Sequence, residues 1–172
     1  MFKHLKKYKN ILVTGPQRSG TRITAKMIAY DTGHRYIDER RIRNSSPSKC
    51  RYVMDNFDNI VIQCPALAFC IDSLGGDFVV FVIRDVEDIV KSQIRIGGTY
   101  PNSHFAKHYP LQFRPKNLPP EIAWPITVYK YWNQVQKARI ERFQEIEYES
   151  LANHPLWIPK SKRVNFTSNQ TT

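Results

Sequence analysis

Asn10-Ile-Leu-Val-Thr-Gly-Pro-Gln-Arg-Ser-Gly-Thr-Arg22 is the stretch whose reading decides the fold. Residues 11–14 are apolar and predict a strand, Gly15 and Gly20 bracket a short loop, and residues 21–30 predict a helix. A strand that turns through a tight loop into a helix forms an anion cradle. The loop N–H groups and the unpaired N–H groups of the first helical turn converge on one point.

The two glycines have the G-x4-G spacing of a Walker A phosphate loop, but Thr21 stands where such a loop carries Lys. The cation sits inside the loop instead, at Arg18. This difference separates phosphoryl chemistry on a metal–nucleotide from chemistry in which arginines and backbone amides supply the positive charge.

Outward from the loop, strands are predicted at residues 34–38, 59–64, 78–83 and 144–148. The run Phe78-Val-Val-Phe-Val-Ile83 is apolar throughout, the pattern of a strand buried on both faces. Helices are predicted at residues 66–74, ended by Gly75-Gly76, and at 85–96, with Asp85 near the start and Gly97-Gly98 at the end. A long helix is predicted over residues 121–143, from the spacing of Ile122, Ile126, Tyr129, Trp132, Val135 and Ile140, with Pro125 near its first turn. Residues 39–49 read as a polar, basic loop, and residues 99–120 as a long functional loop. Alternating strands and helices imply an α/β three-layer sandwich on a mainly parallel sheet, with one domain over residues 1–172.

The 172 residues suffice for a real core, and 41% hydrophobic content excludes a disordered chain. No apolar run reaches membrane-spanning length and no secretion signal is read, so the expectation is a cytoplasmic protein without a membrane partner. The three cysteines have no CxxC spacing and read as free thiols, with no metal expected. Net charge is +11, with basic residues gathered at 3–9, 35–51 and 160–163. Such a surface attracts anions: nucleic acid, a small anionic molecule or an acidic polymer.

Four segments together resemble the sulfotransferase family, whose co-substrate is 3′-phosphoadenosine 5′-phosphosulfate (PAPS). Gly15-Pro-Gln-Arg-Ser-Gly-Thr-Arg22 is similar to the family's 5′-phosphosulfate loop, and Phe81-Val-Ile-Arg-Asp-Val-Glu-Asp-Ile-Val-Lys-Ser92 to its 3′-phosphate motif, with Ser eight residues after Arg. Trp132 in the long helix and Glu147-Tyr-Glu-Ser-Leu151 resemble the remaining two. The resemblance implies a P-loop NTPase-like sulfotransferase fold. It also implies transfer of a sulfuryl group to a hydroxyl or amine by in-line displacement, with release of the product PAP and no metal. The acceptor is left open, a glycan or another hydroxyl compound being compatible.

On this resemblance Gln17, Arg18, Ser19, Gly20, Thr21 and Arg22 hold the 5′ group, and Arg84 with Ser92 holds the 3′-phosphate. Gly20 would let the backbone approach the ligand. Tyr148 either contacts the adenine or packs in the core. Arg18 is the catalytic candidate: its guanidinium can stabilise charge developing on the leaving oxygen, as a permanent cation that donates no proton. Glu39 is the candidate base, with Asp38 as its neighbouring alternative. Arg40 and Arg41 follow at once, and would either depress a carboxylate pKa or anchor an anionic acceptor. The His of the small-molecule branch is missing from Cys64-Pro-Ala-Leu-Ala68. His104 and His108 can contact an acceptor or merely build their loop, Trp124 and Trp132 read as core, and Arg163 in Lys160-Ser-Lys-Arg163 either covers the 3′-phosphate or belongs to a solvated tail.

Two other readings remain. A P-loop nucleotide or small-molecule kinase would need a Lys at position 21 and a magnesium-binding acid, for which Asp85 is the candidate. A non-catalytic nucleic-acid-binding protein would use the basic surface but leave both anion motifs unexplained.

Overall fold

The computed structural model describes residues 1–42, 46–96 and 106–159. Five strands, β1 (Asn10–Thr14), β2 (Arg35–Asp38), β3 (Ile60–Gln63), β4 (Phe78–Ile83) and β5 (Phe143–Glu147), form one sheet in the order β2-β3-β1-β4-β5. Every neighbouring pair is parallel. All five carboxyl ends therefore lie along one edge, the edge where parallel α/β sheets build their sites.

The helices are α1 (Thr21–Thr32), α2 (Pro47–Asn56), α3 (Val86–Arg95) and α4 (Pro120–Tyr131). Strand residues alternate between two cores. Ile11, Val13, Val61, Val80 and Val82 pack with Ala25, Met27 and Ile28 of α1. Leu12, Ile62, Val79 and Phe81 pack on the opposite face with Cys50 and Met54 of α2 and Trp124 and Val128 of α4. Helices on both faces of a parallel sheet make the three-layer α/β sandwich that the sequence predicts.

The helix ends follow local chemistry. Gly33 closes α1 in the left-handed conformation at φ 76°. Asp85 caps α3, its carboxylate accepting from the N–H groups of Glu87 (2.8 Å) and Asp88 (3.2 Å). Residues 97–98, the expected stop of α3, lie outside the described residues.

Three expectations are corrected. Residues 47–49 belong to α2, not to a loop. Only Cys50 and Met54 are buried in α2, a stripe too thin to register as helical periodicity, and Pro47 at its start is what favours the helix. The helix expected at residues 66–74 is a 3-10 segment, Pro65–Ser73, broken by a non-helical residue at Cys70 (φ −135°, ψ 22°). The long helix is not continuous to residue 143. After Tyr131 it widens into a π turn, Trp132–Gln136, then tightens into a 3-10 turn, Lys137–Arg139.

The π turn has a local cause. Glu145 of β5 accepts from Trp132 Nε1 (2.8 Å) and from Lys137 Nζ (2.9 Å to each oxygen). These donors are five residues apart, and the widened i→i+5 turn brings both to one carboxylate. Desolvation pushes the Glu145 carboxyl up, but the Lys137 and Trp132 bonds outweigh it and hold its pKa below the ordinary value. Trp132 is buried and stacks on Phe81 with ring centroids 4.2 Å apart, which makes it core, and Trp124 is core as well.

Candidate functional site

Each strand delivers one element to the carboxyl edge. In sheet order these are Glu39 after β2, Gln63 ending β3, the loop after β1, Arg84 after β4 and Tyr148 after β5. All of them line one pocket of about 470 Å³, within the range of small-molecule sites. Gln17, Arg18, Thr21, Arg22, Lys26 and Arg40 also line it, so cations surround the single carboxylate of Glu39.

The loop is a turn closed by Ser19 N–H on Pro16 C=O (3.1 Å), with Arg18 at φ 69°. A side chain in this left-handed region costs about 1–3 kcal/mol and persists only when its surroundings hold it. Arg84 provides the hold: its Nη1 donates to the Arg18 carbonyl at 3.0 Å. Arg84 is itself braced. Its backbone N–H and C=O both bond the Tyr129 hydroxyl (2.9 and 2.7 Å), and its guanidinium lies 4.3 Å over the Tyr148 ring. Asp88 comes within 3.8 Å of it, and Arg84 Nε is buried with no partner among the described residues.

Arg18 turns toward the second motif. Its Nε donates to Ser92 Oγ at 3.2 Å, so the hydroxyl expected to join Arg84 on the 3′-phosphate is also in contact with Arg18. Arg18 is exposed as a residue, yet this bond draws its guanidinium partly inside. That partial burial, followed by the charges of Arg95, Arg22 and Arg84, lowers its pKa, and Tyr148 opposes the shift. The group stays cationic at ordinary pH.

Gly20 has a reason beyond ligand approach. Its φ is 105°, and a Cβ there would fall 2.2 Å from Cδ2 of Tyr148. Tyr148 thus packs a ring edge against the loop while covering Arg84, and it also lines the pocket. Gly20→Ala is expected to lower stability by about 1–2 kcal/mol for the left-handed backbone alone, with further loss as Tyr148 is displaced. A urea midpoint unchanged from wild type would contradict this packing.

Thr21 Oγ1 accepts from Gln63 Nε2 at 3.3 Å, leaving Gln63 Oε1 buried without a partner among the described residues. Ser19 Oγ is likewise buried and unpartnered. Arg22 lies at the rim, its Nε 3.1 Å from Asp38.

The two candidate bases separate cleanly. Desolvation pushes Asp38 up, but the Arg40 N–H, the Arg22 charge and the Tyr36 hydroxyl together hold its carboxyl below the usual range. Glu39 accepts only the Ala66 N–H among the described residues (3.0 Å), and burial pushes it up to about 7, Asp38 adding to the shift and the Ala66 bond, Arg22 and Arg40 opposing it. Arg40 lowers the Glu39 carboxyl as expected, but burial outweighs it and the net shift is upward. Arg22 and Arg40 pair with Asp38, and burial dominates at Glu39.

His108 stacks on Phe69 with centroids 4.4 Å apart and does not line the pocket. His104 and residues 160–163 lie outside the described residues. Among the described residues, no three His, Cys, Asp or Glu side chains are grouped to hold a metal, and no helix is long and apolar enough to cross a membrane. The three thiols are free, and burial pushes Cys50 up to about 11, Cys70 up to about 12 and Cys64 well above its ordinary value. Sequence reasoning missed Gln63, Tyr129 and Arg95. The signal for Arg95 was present, three residues after Ser92 on the same helix face. The other two emerge only from strand order and helix packing.

No protein-family model matches the chain, and no curated protein matches it. Among solved structures, shikimate kinase from Acinetobacter baumannii in complex with shikimate is similar at TM-score 0.51 and 16% identity, over 88% of this chain and 93% of that one. Shikimate kinase from Bacteroides thetaiotaomicron follows at TM-score 0.48 and 13% identity, over 80% and 86% of the two chains. The fold is α/β and P-loop NTPase-like, shared with the first of these kinases.

Proposed function

We infer that the protein is a PAPS-dependent sulfotransferase acting on a hydroxyl or amine acceptor. One observation carries the reading: the positions that serve a metal–nucleotide in a P-loop kinase hold other chemistry here. Thr21 replaces the Walker A Lys and Arg22 the Ser or Thr that follows it. At the end of β3, beside the loop strand, the residue bonded to Thr21 is the amide Gln63, not a carboxylate. Asp85, the acid considered for magnesium, is engaged in capping α3.

Positive charge is supplied by Arg18 and Arg84. The pocket residues fit an anionic nucleotide: Arg84 Nε and Ser19 Oγ are buried polar atoms without a partner among the described residues. Bound PAPS would supply an activated sulfuryl group. Arg18 would stabilise the charge on the leaving side, the N–H groups at the start of α1 would hold the 5′ group, and Tyr148 would wall the β5 side. Glu39 lies beyond Gln63 on the other side of the loop from Arg84, where it would take the acceptor proton.

The kinase reading draws its weight from the fold likeness to shikimate kinase, and the nucleic-acid reading from the +11 charge. Isothermal titration separates them. PAP binding without magnesium supports sulfuryl transfer. Magnesium-dependent ATP binding supports a kinase, and salt-sensitive binding of DNA or RNA alone supports the third. Arg84→Ala is expected to weaken PAP binding by about 1.5–3 kcal/mol, tenfold or more, and equal affinity in both proteins would remove Arg84 from the site.

A further inference from the structure

We propose that Arg95, at the last turn of α3, is a nucleotide-binding residue that helps select a ligand carrying a second phosphate besides its 5′ group. The proposal rests on the PAPS reading and extends it to a residue outside both motifs.

Ser92 Oγ is a meeting point for two guanidinium groups from different elements. Arg18 Nε of the loop reaches it at 3.2 Å and Arg95 Nη2 at 3.5 Å. A hydroxyl has two acceptor positions and one donor. The arginines occupy the acceptor positions, and among the described residues nothing receives the Ser92 proton, although the residue is only 4% exposed. Arg84 adds a third guanidinium, tied to the Arg18 carbonyl and with its Nε buried without a partner among the described residues.

No carboxylate among the described residues pairs with Arg18 or Arg95, and the one acid near the group, Asp88, stands 3.8 Å from Arg84. The three like charges repel one another, with Asp88 at Arg84 the one counter-ion among the described residues, and Arg95 is the largest charge contribution to the lowered pKa of Arg18. A dianion placed among them relieves that repulsion, takes the Ser92 proton in a hydrogen bond and meets the Arg84 Nε. Ile96, the next residue, lines the pocket, so the end of α3 forms part of its rim. Arg95 is exposed, free to reach over a ligand in a way the braced Arg84 is not.

The test compares PAP with 5′-AMP, which lacks the second phosphate, on wild type, Arg95→Ala and Arg95→Gln by isothermal titration. Wild type should favour PAP. Both variants should lose about tenfold in PAP affinity, with 5′-AMP affinity and melting temperature close to wild type. A purely structural role of a cation at the helix end would shift melting and leave the PAP to AMP ratio intact, and that result overturns the proposal. If wild type binds PAP and the variants bind it equally well, Arg95 alone falls. If wild type does not bind PAP, the nucleotide reading falls and this proposal with it.

Discussion

Replacing Arg18 with Ala should lower turnover by about 10²–10³-fold, the usual loss when one preorganised donor to developing charge is removed, while PAP affinity falls much less. The asymmetry follows from placement. Arg84, the loop amides and Ser92 remain to hold the nucleotide, whereas Arg18 is the cation carried by the loop itself. Single-turnover transfer from labelled PAPS, with an acceptor found by screening, measures the first quantity, and titration with PAP the second. Lost affinity with an unchanged transfer rate would reverse the assignment. Arg18→Lys tests the geometry: a point charge cannot keep the directed Nε bond to Ser92, so it should restore only part of the rate.

Glu39→Gln should reduce transfer by about 10²–10⁴-fold and leave PAP binding within twofold. The wild-type rate should rise with pH through about 7, where burial has moved the carboxyl, and then level off. A flat profile, or an unchanged rate in the variant, would assign proton removal to another group. The same displacement affects stability, and its sign is fixed. The folded-state pKa of Glu39 lies above the value of an unfolded glutamate, so ionisation is penalised only in the folded state. The penalty is absent below the ordinary carboxylate range and complete above about 7. Glu39→Gln should therefore melt at a higher temperature than wild type at pH 8, with the gap closing toward pH 4. A stability gain paired with loss of function is the usual signature of a residue kept for chemistry.

The layers and the phosphate loop were readable from residue order because their signals are local. Phe78–Ile83 and Ile60–Ile62 are continuous apolar runs that only a doubly covered strand buries, and the two glycines mark the loop. What stayed hidden depends on partners distant in the chain. The π turn at Trp132–Gln136 is set by Glu145, which no periodicity within the helix reveals. The pairing of Gln63 with Thr21 needs β3 beside β1, a matter of strand order. The choice between Glu39 and Asp38 turned on burial, and neighbouring arginines in the sequence pointed the wrong way. The spacing of Arg84 and Ser92 suggested two groups closing on one anion, but could not show that a guanidinium of the first loop also meets the hydroxyl. Arg18 reaches it because the loop after β1 crosses the top of the neighbouring β4.

The distribution of the pocket over five strand ends bears on how the protein folds. Residues from 17 to 148 meet in it, so nearly every contact that shapes it spans a long chain separation. Closing such loops is entropically expensive, and little of the site gains from it until the sheet is nearly whole. The last strand to pair, in chain order, brings Tyr148 against Gly20 and over Arg84, so the left-handed loop is fully braced only after the C-terminal strand has docked on β4. During synthesis the phosphate loop emerges first and its wall nearly last. Anion binding would then arrive late, and an incompletely folded chain would hold a nucleotide poorly.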